Sequence, residues 1–402
     1  MPSHIASPNR EPWVLICGGF HTRGGMDRAN LSLAERLVEK RHAVYLVGHD
    51  IDETLSQREG VTAMRVERPA GSIALGEGRL ARRAAEIADQ VKFANPDAIV
   101  VANGGNGIAP DVNWVHYVHH ASHFEDEGTP AMLRLKNRYA EHVFRRHEYK
   151  AIRAAGLVVA NSDLTRRHVI DLLGVDPQRV ATVYLGSNSN WAPASEEHRN
   201  SARKWLGIEA DKLVVSFVGA LGHDKRKGFD TLWKAWLQLS AEKSWDAHLV
   251  VAGGGRQVEH WKRLAGKIAD RVHVLGFTDR VRDVLAASDL LVSPVHYEPF
   301  GLNVTEAICC GVPAVVSACA GVAELYPADL RPYLLAEPRD HVELAQKIKR
   351  WHSDLEGSRR NFAEFGSRLR ERSWQAMADD LIDLVHTRLR PSVAGNTLVA
   401  AQ

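Results

Sequence analysis

The 402-residue chain is too long for one hydrophobic core, which stops growing at roughly 250–300 residues, so two domains are expected. A composition that is 45% hydrophobic and 25% charged is that of a globular protein, and a formal charge of +2 leaves no concentrated basic surplus for nucleic acid. The polar start MPSHIASPNREP and the short apolar run after it do not read as a secretory leader, so a cytoplasmic location is expected.

Along the chain, PWVLICGGF predicts a buried strand entering a glycine turn, RANLSLAERLVEK a helix with a basic end, and HAVYLVGHD a second strand. Strand, helix and strand at that spacing form a βαβ unit and hence a parallel sheet. DAIVVANGG, NWVHYVHH and GLVVANS continue the strands. The polar stretch GSNSNWAPASEEHRNSARK marks an interdomain linker near Gly186–Ser201. The pattern then restarts, with KLVVSFVGALG as strand and glycine turn, FDTLWKAWLQL as helix, and AHLVVAGGG, VHVLGF, DLLVSP and PAVVS as strands. The fold class is therefore α/β, with two Rossmann-like domains facing a central cleft. The uncharged run Ala307–Ala323 is too short for a membrane span and is broken by Gly311, Pro313 and Gly321, so it reads as buried helix, turn and strand. Cys17, Cys309, Cys310 and Cys319 lack C-x-x-C spacing and read as buried thiols, with neither zinc nor disulfide. The tail PSVAGNTLVAAQ is expected to fray.

Four motifs carry chemistry. In GGFHTRGGMDRANL, Gly24 and Gly25 precede a helix, which suits either an anion or a tight turn. Gly253 and Gly255 begin G-x-G-x-x-G, but Val258 breaks the dinucleotide fingerprint. GALGHDKRKGF sets Gly219, His223, Lys225, Arg226 and Lys227 between a strand and a helix, fit for a diphosphate or for a solvated loop. In YEPFGLNVTEAICCGVP a helix is predicted from near Leu302 to Cys310, ended by Gly311 to Pro313. Glu298 then lies in the preceding loop and Glu306 early in the helix, and the amides near Phe300–Asn303 form an anion site. Carboxylates on either side of a phosphate-sized pocket suit hydroxyl donors such as ribose and sugars. Asp50-x-Asp52 is a weak metal signal and reads as structural. RLKNRYAEHVFRRHEYKAIR sets seven Lys and Arg against Glu141 and Glu148, either a solvated helix face or a surface for anionic lipid.

In this order, GGFHTRGG, VHH, VVANS, FVGALG…KRKGF, VVAGGG, VLGFTD, SDLLVSP, EPFGLNVTEAICCGVP and GVAE resemble the retaining family-4 glycosyltransferases of the glycosyltransferase-B fold, across roughly Trp13 to Trp374. The resemblance implies an acceptor domain over 1–190, a nucleotide-sugar domain over 202–370, and a segment 371–402 whose helix returns to the first domain. It implies that Glu306 binds the ribose, Glu298 the transferred sugar, and Gly219 and the backbone of Phe300, Gly301, Leu302 and Asn303 the donor. Lys227 and Arg226 would neutralise the diphosphate, with Arg226 supplying the charge that many members carry where this chain has Ala220. Gly24 and Gly25 would face the diphosphate and the acceptor. His119 fits the sugar-facing position best and His120 second, and Asn161 and Ser162 would face the cleft. The implied reaction moves a sugar from a nucleotide-diphosphate donor to a glycan, lipid-linked or small-molecule hydroxyl, with retention and with no metal or other cofactor. A nucleotide-sugar 2-epimerase and a non-catalytic nucleotide-sugar binder are the rival readings, and a peripheral membrane contact stays open.

Overall fold

The structure, a computed structural model, describes residues 10–69, 73–122, 129–223, 225–267 and 271–390. The tail read as frayed, and most of the polar start, lie outside them. The chain divides into two compact units, one of Met1–Ala121, Leu135–Gly186 and Trp374–Gln402, the other of Ser122–Arg134 and Ser187–Ser373.

Among the described residues the first unit has nine strands: β1 (Trp13–Ile16), β2 (Gly19–Phe20), β3 (Val44–Gly48), β4 (Asp50–Ile51), β5 (Val61–Arg65), β6 (Ile99–Asn103), β7 (Val112–Val115), β8 (Leu157–Ala160) and β9 (Val180–Thr182). Seven form a parallel sheet in the order β5-β3-β1-β6-β7-β8-β9, and β2 pairs with β4. Its helices are α1 (Gly25–Glu39), α2 (Glu53–Ser56), α3 (Ile73–Ala94), α4 (Ala131–Ala154, whose first turn up to Arg134 counts with the second unit) and α5 (Asp163–Leu173). Central strands β1, β6, β7 and β8 are buried along their whole length, as a parallel sheet covered on both faces requires.

The second unit holds β10 (Val214–Val218), β11 (His248–Ala252), β12 (Val272–Gly276), β13 (Leu290–Ser293), β14 (Ala314–Ser317) and β15 (Leu334–Leu335), parallel in the order β12-β11-β10-β13-β14-β15. Its helices are α6 (Glu196–Leu206), α7 (Phe229–Ser240), α8 (Val258–Ala265), α9 (Val281–Ala287), α10 (Leu302–Cys309), α11 (His341–Ser353) and α12 (Leu355–Glu371). α13 (Trp374–Leu389) belongs to the first unit, where Asp379 takes a bidentate Arg36 at 2.8 and 2.9 Å and Lys40 at 2.9 Å.

The strand order reverses between β1 and β6 in one sheet and between β10 and β13 in the other. At such a switch point the following connections leave to opposite sides and open a crevice at the strands' carboxyl ends, where open α/β sheets bind ligands.

The uncharged run resolves into the end of α10, a turn at Gly311 (φ 76°) and β14. NWVHYVHH is strand only to Val115, with a short 3-10 turn at His119–Ala121. The expected linker, Gly186–Ser201, begins where the two units divide, but its last six residues are already helix: α6 is capped by Ser195, whose Oγ accepts from the His198 N–H at 3.2 Å, and closed by a left-handed Gly207. Arg199 and Arg203 on this helix reach Asp289, which is buried ahead of β13. Asp289 accepts from Arg199 and Arg359 at 2.6 Å each, Arg203 at 2.7 Å and the Val214 N–H at 2.9 Å. A polar stretch thus becomes packed structure because its charges have buried partners. Among the described residues, no helix is long and apolar enough to cross a membrane.

Candidate active site

In the second unit, the chain after β10 and the chain after β13 flank the switch point and are locked to each other by backbone contacts. Lys225 takes a left-handed φ of 49°, at a cost of about 1 kcal/mol, and Gly228 follows at φ 70°. A Cβ on Gly228 would lie 1.8 Å from the Pro294 carbonyl oxygen, so only glycine lets the basic loop nest on the chain leaving β13. The His296 N–H donates to the Arg226 carbonyl at 2.8 Å. Lys227 Nζ and Glu298 Oε2 form an ion pair across this seam, with both side chains mostly buried.

The Glu298 loop is held from its other side by Gly321–Val322. The Gly321 N–H donates to the Glu298 carbonyl at 3.0 Å, and the Val322 N–H donates to the Phe300 carbonyl at 2.6 Å. Gly301, at φ 110°, opens α10, and Val322 fills the space where its Cβ would stand. Asn303 Nδ2 donates to the Val218 carbonyl at 2.9 Å and so staples the first turn of α10 to the end of β10. First-turn N–H groups have no intrahelical acceptor, so the start of α10 presents donors and a partial positive charge to the switch point.

Glu306 lies about one turn further into α10. Burial pushes its carboxyl up to about 8, so at neutral pH it holds a proton in the free protein. α10 is kept in place by α12, where a Cβ on Gly366 would meet the Ile308 carbonyl oxygen at 2.3 Å and Arg370 donates to the Cys309 carbonyl at 2.7 Å. Lys227, the Arg226 backbone, Glu298, Phe300, Gly301, Leu302, Asn303 and Glu306 thus belong to the two chain segments that leave the carboxyl ends of central strands β10 and β13. Gly219 is on the same rim, donating to the Ala252 carbonyl at 2.9 Å, and the adjacent Ala220 is exposed. At Gly253 and Gly255, Cβ atoms would fall 1.8 Å from the Gly219 oxygen and 2.2 Å from the Leu221 oxygen. These glycines serve close backbone approach between the ends of β10 and β11.

In the first unit, Gly24 occupies the N-cap of α1 at φ 93° with no side-chain cap, and Gly25 is the first helical residue. The surroundings are more acidic than the glycine motif implies. Asp27 lies in the first turn, and burial raises its pKa. Asp50 pairs with Arg23 at 2.5 Å, and His21 stands 3.5 Å from Asp50 and 3.8 Å from Asp27. Asp52 caps α2, accepting from the Leu55 N–H at 3.1 Å, so both aspartates of the Asp50-x-Asp52 pair have local structural partners.

The three histidines of HYVHH separate by environment. His116 is buried against Trp114, with ring centroids 4.4 Å apart, and burial lowers its pKa to about 3. His120 is committed to Glu148: its Nδ1 lies 2.7 Å from the carboxylate, which also accepts the N–H groups of His119 (2.7 Å) and His120 (3.3 Å). His119 turns its ring between Tyr117 and Phe144, at centroid distances of 4.8 and 5.1 Å. Sequence reasoning missed Glu148, which shares a face of α4 with Phe144 and Ala151. Burial raises its pKa, and its hydrogen bonds pull the other way. Asn161 and Ser162, expected to face a cleft, are buried instead. Ser162 Oγ accepts from the Thr165 N–H at 3.0 Å as the cap of α5, and Asn161 Nδ2 donates to the His116 carbonyl at 3.2 Å. They hold the strand ends in place.

Known proteins resemble the chain in sequence and in fold. Residues 23–190 match the family described as Glycosyltransferase Family 4, and residues 212–354 match Glycosyl transferases group 1. A D-inositol 3-phosphate glycosyltransferase of Kineococcus radiotolerans is 35% identical over 192 residues, 44% of this chain and 42% of its own, so the match spans less than half of that relative. A protein of the same name from Geodermatophilus obscurus is 27% identical over 95% of this chain and 89% of its own. Among solved structures, sucrose-phosphate synthase from Thermosynechococcus elongatus has a TM-score of 0.74 at 20% identity, covering 95% of this chain and all of the other. Anabaena Alr3699/HepE in complex with UDP and glucose has a TM-score of 0.68 at 21% identity, covering 94% and 100%. At these identities the two structures show a shared glycosyltransferase-B fold.

Proposed function

We propose that the chain is a family 4 glycosyltransferase that takes a sugar from a nucleotide-sugar donor and passes it to an acceptor hydroxyl with retention at the anomeric carbon. One observation carries the proposal: Lys227 and Glu298 are paired beside the N-terminal amides of α10, with Glu306 one turn inside. An arriving diphosphate competes for Lys227 and frees the Glu298 carboxylate to accept hydrogen bonds from the sugar. Glu306 takes the ribose hydroxyls. Lys227, Arg226 and the helix-end amides stabilise the negative charge that grows on the departing diphosphate, and preorganised groups of this kind lower such barriers by several kcal/mol. Attack from the face the diphosphate leaves, with a phosphate oxygen taking the acceptor proton, accounts for retention without a protein nucleophile. His119 is the histidine proposed to touch the sugar, since His116 is packed in the core and His120 is bound to Glu148.

UDP-glucose is the first donor to try, because the Anabaena structure is named for UDP and glucose. Inositol and sugar phosphates are the first acceptors, following the names of the relatives. A cytoplasmic location with peripheral contact at a membrane surface is part of the same proposal. The test is turnover of the Lys227→Ala variant with whichever nucleotide sugar the native chain uses. Loss of about 10²–10³ in kcat with an unchanged circular dichroism spectrum supports the phosphate role. Unchanged turnover refutes it.

A further inference from the structure

The turn His119–Ala121 follows β7 and carries the ring proposed to touch the sugar, yet α4 supplies much of what holds it. Within the turn the Ala121 N–H returns to the Val118 carbonyl at 3.1 Å. The N–H groups of His119 and His120 go instead to Glu148, at 2.7 Å on Oε1 and 3.3 Å on Oε2, and His120 Nδ1 meets Oε2 at 2.7 Å. Facing a carboxylate, the His120 ring carries its proton on Nδ1, so all three groups are donors. Glu148 is 1% exposed. A carboxylate leaves water at a tolerable cost only where several donors replace its hydration, and here all three belong to one turn.

The same helix sets the ring. Phe144 precedes Glu148 by one turn of α4, and its ring packs on that of His119 at a centroid distance of 5.1 Å, with Tyr117 edge-on at 4.8 Å. α4 is itself seated on the chain leaving β6, where a Cβ on Gly105 would stand 3.1 Å from the Glu148 nitrogen and 3.3 Å from the His147 Cβ. The end of β6, α4, Glu148 and the histidine turn thus form one line of contacts.

We infer that Glu148 is a positioning residue for the transfer: without touching the sugar, it fixes the histidine turn so that the His119 ring keeps the place at which it meets the sugar. The inference rests on the reading of His119 given above and adds the group through which His119 is held. Moving a group at the reacting centre by about 1 Å costs up to about 10²-fold in rate. The loss belongs in kcat, because the groups proposed for the diphosphate and the ribose, Lys227 and Glu306, are left as they are.

The experiment is a double-mutant cycle on Glu148→Gln and His119→Ala in the full chain, read by release of UDP from UDP-glucose with an inositol phosphate as acceptor. If UDP-glucose is refused, the nucleotide sugar that most raises the melting temperature replaces it, and a chain that turns over none overturns the transferase reading and this inference together. Glutamine keeps the length of glutamate but turns an amide N–H₂ toward donors. Glu148→Gln should lower kcat about 10- to 100-fold with the donor KM within about threefold of native, and the double variant should be no slower than the slower single. Hydrogen exchange at the His119 and His120 amides, measured without substrate, should quicken at least about tenfold in Glu148→Gln. Native kcat in Glu148→Gln beside a slowed His119→Ala overturns the inference and leaves His119 in its role. So do losses that multiply in the double variant, or unchanged exchange at both amides. Native kcat in His119→Ala overturns the His119 reading first, and this inference with it. Should Glu148→Gln lose the native circular dichroism, Glu148→Asp, which keeps the charge one methylene short, enters the same cycle with the same expectations.

Discussion

Glu306→Gln should stabilise the protein and weaken its hold on nucleotide, a combination that a merely structural residue does not produce. Burial holds the Glu306 carboxyl at about 8, against an ordinary value of 4.5. Between those two pH values the folded chain keeps a proton that the unfolded chain has lost. Native stability therefore falls as pH rises through this window. At 1.36 kcal/mol for each pH unit, the gap bounds the loss at about 5 kcal/mol, and the partial solvent contact of the side chain reduces it to about 2–3 kcal/mol. Glutamine copies the protonated acid in shape and never ionises, so the variant escapes the loss. Urea unfolding of both proteins should give nearly equal stabilities at pH 5 and a variant more stable by about 2–3 kcal/mol at pH 8. Nucleotide binding moves the other way. A carboxylate accepting ribose hydroxyls contributes about 1.5–3 kcal/mol, so calorimetry at pH 8 should show affinity for UDP, or for whichever nucleotide the chain takes, reduced roughly 10- to 100-fold. Parallel stability curves across pH 5 to 8 would refute the desolvated pocket, and undiminished nucleotide affinity would refute the ribose role.

Two further substitutions probe the scaffold under the site. Gly228→Ala forces a Cβ toward the Pro294 oxygen at a left-handed φ, so the basic loop must shift; stability should fall by about 1–3 kcal/mol, with a loss of nucleotide affinity measured by calorimetry. A variant that unfolds and binds as the native chain does would show that the loop does not depend on this contact. Asp289→Ala leaves Arg203 buried without its carboxylate and should cost about 3–5 kcal/mol in urea unfolding, and a cost below 1 kcal/mol would mean that the arginines find other partners.

Sequence alone determined the α/β class, the second-unit strands from β10 to β14 and the start of α10 near Leu302, and it named the residues proposed for the cradle. Those features are written in short-range chemistry: apolar runs, glycine and proline punctuation, and a basic loop following a strand. Tertiary structure alone decided which of them meet one another and which fill space. Lys227 meets Glu298 across 71 residues, and Glu148 reaches the histidine turn across 29. Neither pairing leaves a periodic trace, because a contact between loops is set by strand order, and strand order reverses where no local pattern marks it. For the same reason residues 196–201 read as linker, although they open a helix whose Arg199 pairs with Asp289, 90 residues further on. His116, His119 and His120 look interchangeable as letters. Burial against Trp114, an aromatic slot and a carboxylate separate them, and only packing in three dimensions provides those three environments.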